Sequence, residues 1–588
     1  MDPGRPITPP PGYLCLVLHA HLPFVRHPEE EYFLEENWLY EALTETYIPL
    51  INVFEQLIRD RVPFRLTMSL TPPLVSMLRD PLLQSRYIRY LDRLIELSGK
   101  EIERTGYQPH FHGLALMYNR RFQEMRDLFA NRYQRDLVGA FKRLQDQGFL
   151  EILASCATHG VLPVLNVHPE SVRAQIHIGV KYYQKIFGRP PKGLWLPECA
   201  YFRGVDEILK EEGVRYFFIE SHGIIHGDPS PRYSVYAPVY CPSGVAAFGR
   251  DWESSKQVWS AHEGYPGDPA YREYYRDIGY EMEYEYLKPY LHPQGFRINT
   301  GLKYWRITGP TEAKEPYQPD WAKDRASIHA EDFIHHRHQQ IAGLAGGMDR
   351  RPIVVAPYDA ELFGHWWFEG PLWLDFLLRK IARPETRFRT TTPSEYLIEY
   401  PTNQMVYPSS SSWGYKGYNE YWIEGSNDWI YRHLHLAGGR MTQLADRFLL
   451  EKNSHAKRMH DKEGCALHRD GAGHTSNRNG PASLTRRALN QAARELLLAQ
   501  ASDWPFIMKS GTVVSYAHRR VKNHLSRFNR LYHDLLQGTV DENWLKELEN
   551  RDNIFSDMDC AVCFRKRFKN GHPISLDTKH QPHEARAS

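Results

Sequence analysis

Short, uninterrupted apolar runs alternate with longer helical patterns along the first 400 residues, and this alternation limits the possible folds more than any other feature. Residues 13–19 (YLCLVLH) have no polar position before their end, which is typical of a strand buried on both faces of a parallel sheet. Residues 41–60 follow with apolar side chains at helical spacing. Further apolar runs lie at residues 64–70, 150–157, 193–198, 215–220 and 353–359. Strands that alternate with helices predict a parallel α/β architecture, most simply a barrel.

Two stretches depart from this alternation. Residues 81–147 are almost entirely helical in pattern and too long for one crossover helix, so we predict a helical insertion there. After about residue 400 only helical patterns remain, at 484–501 and 512–537, which indicates an all-α C-terminal domain. The predicted division is a polar tail at 1–12, a barrel domain at 13–400, a helical domain at 401–565 and a polar tail at 566–588.

Residues 451–483 interrupt the helical domain with a polar segment rich in His, Lys, Asn and Gly. Such a segment buries too little apolar area to offset the entropy of ordering, so we expect it to be disordered. Its Cys465, His468 and His474 have no standard metal-site spacing, and Cys560 and Cys563 form a CxxC without a second pair. We therefore predict no metal and no other cofactor.

Charge and composition exclude several classes of partner. Lys+Arg is 73 and Asp+Glu is 71, so the formal net charge is +2 and offers no basic surface for nucleic acid or an anionic membrane. No apolar run reaches the roughly 18 residues that a membrane helix needs, and residues 1–12 lack the apolar core of a signal peptide. Seven cysteines in 588 residues are typical of reduced thiols, which predicts a cytoplasmic protein.

Polar side chains follow several of the predicted strands at the point where each strand ends. His19 and His21 end the first run, His159 follows the third, and Glu198 and Asp359 end two later runs. Because functional residues of a parallel barrel lie at the carboxyl ends of its strands, we expect these five side chains to meet on one face.

Two chemistries fit this set of residues. A pair of carboxylates is the pattern of glycoside hydrolysis, whereas three histidines with Asp359 could hold a divalent metal, as in a polysaccharide deacetylase. Aromatic residues make up 13% of the chain, and Trp195 and Trp366 stand close to the two carboxylates in sequence. Because aromatic rings stack on the C–H faces of sugars, these neighbours favour a carbohydrate substrate.

Seven motifs together resemble those of family 57 glycoside hydrolases, and within that family they are most similar to the 1,4-α-glucan branching enzymes. The similarity extends over most of residues 13–450 and 484–565. The motifs are HAHLPF at 19–24, ATHG at 157–160, LWLPECAY at 194–201, KYWRIT at 303–308, APYDAELFGHWW at 356–367, SWG at 412–414 and SDWPF at 502–506.

The resemblance implies an incomplete (β/α)7 barrel, a helical C-terminal domain and a retaining double displacement on α-glucan. Glu198 falls on the nucleophile position and Asp359 on the acid/base position. Retention requires these carboxyls to lie about 5–5.5 Å apart. The remaining positions that match substrate-binding residues are His19, His21, His159, Trp195, Trp305, Trp366, Trp413, Trp422, Asp503 and Trp504. An α-glucan would be both donor and acceptor, and we expect the enzyme to be a monomer.

One segment departs from the family pattern. Branching members usually carry a long loop over the cleft with a tyrosine near its tip, but residues 221–240 are short. Tyr233 is the best candidate for that tyrosine and Tyr236 the second. A shorter loop admits more water, so an α-amylase or a 4-α-glucanotransferase stays open as an alternative, with a metal-dependent deacetylase and a catalytically idle glucan-binding protein behind it.

Overall fold

A curled sheet of nine strands forms the centre of the protein. A computed structural model describes residues 10–260, 263–463 and 481–559, with side chains except at 449–463 and 481–483, and the backbone of residues 568–569 and 572–573. The strands of the sheet are β1 (Gly12–Ala20), β2 (Leu66–Leu70), β3 (Leu150–Ser155), β4 (Gly193–Trp195), β5 (Tyr216–Ile219), β6 (Val239–Tyr240), β7 (Ala246–Gly249), β8 (Ile353–Asp359) and β9 (Phe388–Thr390).

Seven of these strands run parallel in the order β7-β5-β4-β3-β2-β1-β8. Strand β6 is antiparallel to β7 at one edge, and the short β9 pairs with β1. The two ends of this order approach each other, because the Ile353 N–H donates to the oxygen of Tyr236 at 3.0 Å and the Asp251 N–H donates to the oxygen of Val355 at 2.8 Å. The predicted incomplete (β/α)7 barrel is therefore confirmed.

Helices cover the outside of the sheet and form the C-terminal part of the chain. Seven of them have proline as their first residue, where the missing N–H costs no intrahelical bond. The helices are α1 (Asn37–Ala42), α2 (Ile48–Arg59), α3 (Pro72–Leu78), α4 (Pro81–Arg104), α5 (Pro109–Asp127), α6 (Leu137–Asp146), α7 (Leu162–Leu165), α8 (Pro169–Phe187), α9 (Val205–Glu211), α10 (Ser221–Ile225), α11 (Trp252–Trp259), α12 (Ile278–Glu281), α13 (Tyr284–Leu287), α14 (Pro319–Ala345), α15 (Gly370–Ile381), α16 (Pro393–Glu399), α17 (Trp429–Glu463), α18 (Pro481–Ala499), α19 (Asp503–Ser510), α20 (Val514–Gln537) and α21 (Glu542–Arg551).

Helices α4, α5 and α6 occupy the stretch in which we predicted an insertion. Asp80 caps α4, since its carboxylate accepts from the N–H groups of Leu82 and Leu83 at 3.0 and 3.1 Å. None of the helices in the described part of the chain combines the length and apolar character that crossing a bilayer requires.

Helical backbone is described at both ends of residues 451–483, the segment for which we predicted disorder. Helix α17 continues to Glu463, and α18 begins at Pro481. Residues 464–480, with Cys465, His468 and His474, lie outside the described residues, as do the CxxC cysteines and residues 1–9. Two-residue strands at 568–569 and 572–573 pair within the predicted polar tail.

Candidate active site

The turn that carries Glu198 is held in an unusual backbone conformation. Strand β4 ends at Trp195, earlier than predicted, and a single 3-10 turn over Pro197–Cys199 follows. Glu198 has a φ of 62° and a ψ of 21°, in the left-handed region that disfavours residues with a side chain. The Trp413 N–H donates to the backbone oxygen of Glu198 at 2.9 Å, so a second segment holds this turn in place.

The Glu198 carboxylate accepts a directed hydrogen bond. The indole Nε1–H of Trp413 donates to Oε2 at 2.7 Å, and Nδ1 of His159 lies 3.4 Å from Oε1. Burial raises the pKa of Glu198, while hydrogen bonds from Trp413 and Ser502 act in the opposite direction and favour the carboxylate. The pKa of Glu198 is raised overall, and the two hydrogen bonds limit that rise in favour of the carboxylate.

Asp359 is the last residue of β8 and lies beside His19 of β1 in the sheet. Burial raises the pKa of Asp359 well above its usual value, and the nearby charges of Glu361 and Glu198 raise it further against the effect of Arg250. Asp359 therefore holds a proton more readily than an ordinary aspartate, which suits a general acid.

Three histidine rings stack beside the two carboxylates. His19 lies between Trp195 and His159, at ring-centroid distances of 4.5 and 4.9 Å, and His21 lies 3.9 Å from His159. The Nε2 atoms of His19 and His159 are 3.0 Å apart, so one of them donates to the other. Burial lowers the pKa of both rings well below its usual value, which makes them neutral hydrogen-bonding groups.

His21 differs from the other two because it faces a carboxylate from the helical region. Its Nε2 lies 3.1 and 3.2 Å from the two oxygens of Asp503, the first residue of α19, and its Nδ1 lies 2.9 Å from Thr71 Oγ1. Burial alone lowers the pKa of His21, but Asp503 outweighs it and the pKa is raised. The described structure thus brings His19, His21, His159, Glu198, Asp359 and Asp503 together.

Four of the predicted substrate-binding tryptophans are buried: Trp413 is 8% exposed, and three others are at most 2% exposed. Trp195 is fully buried and stacks on His19, and Trp504 is fully buried with its Nε1–H donating to the oxygen of Leu498 at 2.7 Å. Trp422 is also buried, with its ring against Gly414 next to Trp413. Rings without an accessible face cannot stack on a sugar, so these three support the site from behind.

Two of the predicted tryptophans and one other do reach the surface. Trp366 is 53% exposed and stacks on Tyr274 at 4.7 Å. Trp305 is partly exposed and donates from Nε1 to Glu281 at 2.8 Å. Trp259, which the sequence reasoning missed, is 37% exposed and lies edge-on to Trp413 at 6.3 Å. Of these three rings, Trp259 is the one whose contact with Trp413 places it close to Glu198.

Tyr233 lies away from the carboxylates, contrary to prediction. The Asp349 N–H donates to its hydroxyl at 3.4 Å, and the Arg350 guanidinium lies 5.6 Å from its ring. Both partners precede β8, whereas Asp359 ends it, so Tyr233 lies at the opposite end of that strand. Tyr236 is also at the amino end, where its backbone oxygen accepts from Ile353.

The sequence reasoning missed several polar residues at the site. Tyr47 donates its hydroxyl to Glu361, whose carboxylate also accepts from the His21 N–H at 3.2 Å. Arg250 pairs with Glu220 at 3.0 Å and lies 5.7 Å from the Trp413 ring. Glu220 and Arg250 directly follow β5 and β7, so the rule that located Glu198 could have located them too.

The deacetylase alternative requires that His19, His21, His159 and Asp359 surround one metal ion. Their geometry does not fit, because the histidine nitrogens bond to Ser69, Thr71, Ser502, Asp503 and each other. Within the described ranges, the one group of three potential ligands that approach within 4.8 Å is Glu495, His524 and Asp552 in the helical region. That group already binds arginines, with Arg527 donating to Asp552 at 2.8 Å.

Comparison with known proteins relates this arrangement to a family. Residues 15–409 match the model of glycosyl hydrolase family 57, and residues 472–562 match the model described as "1,4-alpha-glucan branching enzyme, C-terminal". A 1,4-alpha-glucan branching enzyme of Thermococcus kodakarensis is 34% identical over 582 residues, covering 92% of this chain and 77% of the relative.

Two solved structures also resemble the protein over nearly their whole length. The alpha-amylase AmyC of Thermotoga maritima is 43% identical with a TM-score of 0.84, covering 95% of this chain and 100% of that chain. A GH57-type branching enzyme of Pyrococcus horikoshii is 32% identical with a TM-score of 0.80, covering 96% of this chain and 100% of that chain.

Proposed function

Because this chain belongs to glycosyl hydrolase family 57, we propose that Glu198 and Asp359 act on α-1,4-glucan chains as the nucleophile and the acid/base of a 1,4-α-glucan branching enzyme. Both the family model and the branching-enzyme C-terminal model match this chain. The observation that carries the proposal is the unequal surroundings of the two carboxyls. Trp413 stabilises the Glu198 carboxylate, whereas burial and two nearby carboxylates favour protonation of Asp359.

In the first step the Glu198 carboxylate attacks the anomeric carbon of the donor while the bond to the glucosidic oxygen breaks. Asp359 gives its proton to that departing oxygen, so the leaving chain ends in a neutral hydroxyl. The product is a covalent glycosyl-enzyme and an ionised Asp359. The neutral His19 and His159 pack beside the nucleophile without adding charge there.

In the second step Asp359 removes the proton from an incoming 6-hydroxyl, which attacks the anomeric carbon and releases Glu198. Two inversions give net retention, and the transferred chain is now joined by an α-1,6 bond. If water takes the acceptor position instead, the same step is hydrolysis. The acceptor thus decides the product, and the carboxylates do not.

A second candidate function, α-glucan hydrolysis, has a specific observation in its favour. The solved structure that is 43% identical is described as an alpha-amylase. In addition, Tyr233 and Tyr236, the two candidate tyrosines of the short 221–240 segment, lie at the amino end of β8, away from Asp359 at its other end. More water at the acceptor side would raise the share of hydrolysis.

One incubation with linear amylose separates the two candidates. The product is treated with a debranching enzyme, and the released chains and total reducing ends are measured. Branching predicts new chains after debranching with little gain of reducing ends before it. A rise in reducing ends without debranchable chains would overturn the proposal in favour of an amylase, and altered linear chain lengths alone would indicate a 4-α-glucanotransferase.

We also propose that the protein acts in the cytoplasm as a monomer, with α-glucan as its substrate and with neither nucleic acid nor membrane as a partner. The sparse cysteines and the near-zero net charge support this. Light scattering should give the mass of one chain, and a mass of two or more chains would contradict it.

The Glu198→Gln substitution tests the nucleophile directly. It should lower turnover by at least about 10³-fold, because an amide cannot form the ester intermediate, while maltotetraose binding persists. Glu207→Gln, on the exposed face of α9, is the matched control. Turnover of Glu198→Gln close to that of the control would disprove the assignment.

A further inference from the structure

A cavity whose lining includes neither Glu198 nor Asp359 lies beside helix α1. Its volume is about 520 Å³, within the roughly 300–1,000 Å³ of small-molecule sites. Residues 30–40, the middle of α4 and residues 290–300 form its walls. Its aromatic side chains are Tyr32, Phe33, Tyr40, Tyr90, Tyr290 and His292.

The charges in the wall of this cavity cancel. Glu30, Glu31 and Glu36 face the same space as Arg86, Arg89 and Arg93. Arg86 is paired with both oxygens of Glu36 at 2.7 Å, and Arg93 donates to the backbone oxygens of Pro289 and Leu291 at 3.0 and 3.2 Å. Burial lowers the pKa of His292, which is therefore neutral at pH 7. A cavity without net charge favours a neutral ligand over a phosphate or a carboxylate.

Two buried polar atoms of the wall have no hydrogen-bond partner among the described residues. They are Oδ1 of Asn37 and Nε of Arg86, and both residues are more than nine-tenths buried. The amide nitrogen of Asn37 donates to the Tyr32 hydroxyl at 3.0 Å, so the amide is held with its oxygen unused. Buried polar atoms are nearly always paired, so these two unpaired atoms set this wall apart from ordinary packed protein.

The cavity is separate from the catalytic residues but connected to them by one helix. Asn37 and Tyr40 of α1 face the cavity, while the next residue, Glu41, lies 3.9 Å from Nε2 of His365. His365 follows Asp359 by six residues, and Tyr47, beyond the end of α1, bonds to Glu361. Helix α1 therefore contributes residues to this cavity and also approaches the segment that follows Asp359.

We propose that this cavity binds a segment of α-glucan as a remote site for the substrate chain. The inference rests on the proposed function, since it takes the α-glucan substrate from there. The partly exposed rings of Tyr32, Phe33 and Tyr90 and the absence of net charge are the recognition chemistry of a neutral oligosaccharide. Binding here would hold a long chain near Glu198 without taking part in the chemistry.

Two substitutions test the site kinetically. Tyr32→Ala removes a partly exposed ring, and Asn299→Trp fills the cavity. Each variant should raise the KM for amylose about five- to tenfold and leave kcat within about twofold. Tyr107→Ala, at a fully exposed tyrosine outside the cavity, is the matched control and should leave both constants unchanged. Amylose KM values of both variants equal to that of Tyr107→Ala would overturn the inference.

A binding measurement distinguishes a ligand site from a structural role. In the Glu198→Gln protein, maltotetraose should slow hydrogen exchange of residues 290–300, and cellotetraose should not. The added Tyr32→Ala change should abolish that protection. Unchanged exchange with maltotetraose, while the wild type still cleaves amylose, would overturn this inference alone. A wild type that leaves amylose uncleaved would instead overturn the proposed function.

Discussion

At the scale of single residues, the bond between Trp413 and Glu198 separates the tasks of two buried carboxyls. The indole N–H donates to Glu198 at 2.7 Å, whereas Asp359 is surrounded by the negative charges of Glu361 and Glu198. A hydrogen bond to a charged group contributes about 1.5–3 kcal/mol, which is enough to decide which of two buried carboxyls ionises first.

Trp413→Phe should therefore change the pH profile as well as the rate. Without the donor the pKa of Glu198 rises, so the acidic limb of kcat/KM, which requires the carboxylate, should move to higher pH. The rate at its optimum should fall about 10- to 100-fold. Steady-state kinetics from about pH 4 to about pH 9 measure both effects.

Trp373→Phe is the control, since its indole nitrogen is also buried but has no partner among the described residues. Equal rates and equal acidic limbs for the two variants would contradict the role given to Trp413.

At the scale of elements, helix α8 packs against the end of β3 at a distance that only glycine allows. A Cβ on Gly179 would lie 2.0 Å from the Ser155 backbone oxygen and 3.1 Å from the Ala157 nitrogen. The chain that leaves β3 at this point leads to His159. The close approach of α8 therefore fixes where the stacked histidines stand.

Gly179→Ala should lower the free energy of unfolding by about 1–3 kcal/mol, since backbone must move to admit the methyl group. Gly113→Ala offers the opposite case in α5, because nothing lies within 4 Å of its Cβ position and the site is exposed. It should stabilise the protein by about 0.5–1 kcal/mol. Denaturant unfolding measures both, and a stabilised Gly179→Ala protein would refute the packing argument.

At the scale of the whole molecule, the barrel and the C-terminal helices build one site. Ser502 donates its N–H to the backbone oxygen of His159 at 3.0 Å, Gly160 and Ala501 form an isolated β-bridge, and Asp503 faces His21. The helical region therefore supplies a charge that the barrel residues depend on.

Asp503→Asn should lower the pKa of His21, because the carboxylate that raises it is gone. In the folded wild type the raised pKa of His21 favours its charged form. This adds to the free energy of unfolding at low pH, and the contribution is lost as the pH rises through the pKa of His21 in the folded state. In the Asp503→Asn variant this contribution should be smaller. We expect kcat/KM to fall about tenfold at neutral pH.

An NMR titration of His21 gives the pKa, and Asp541→Asn, a cap of α21, is the control. An unchanged His21 titration would show that Asp503 does not hold its charge.

The sequence predicted the central strands well where an apolar run is long. The run at 353–359 is strand β8 residue for residue, and that at 13–19 lies within β1. Strands β6, β7 and β9, of two to four residues, were missed, whereas the equally short β4 and β5 were found because each lies within a longer predicted run. The parallel order and the meeting of five strand-end side chains could be predicted, because chain direction places those ends together.

The direction in which each aromatic side chain points could not be predicted from the motifs. Trp195 and Trp413 both lie near Glu198 in space, yet one is behind the histidines and the other bonds the carboxylate. Position near a motif gives distance along the chain and not the direction of a side chain. Tyr233 shows the same limit, because the length of its loop does not tell at which end of strand β8 its side chain lies.

The left-handed backbone at His159 and Glu198 has a consequence for how such a protein can change over generations. With φ values of 60° and 62°, each position costs about 1–3 kcal/mol for any residue but glycine. A mutation to glycine at either position would relieve this cost while removing a group from the site. Selection for stability alone would thus drive descendants towards an inert sugar-binding protein, and only selection for turnover would retain both side chains.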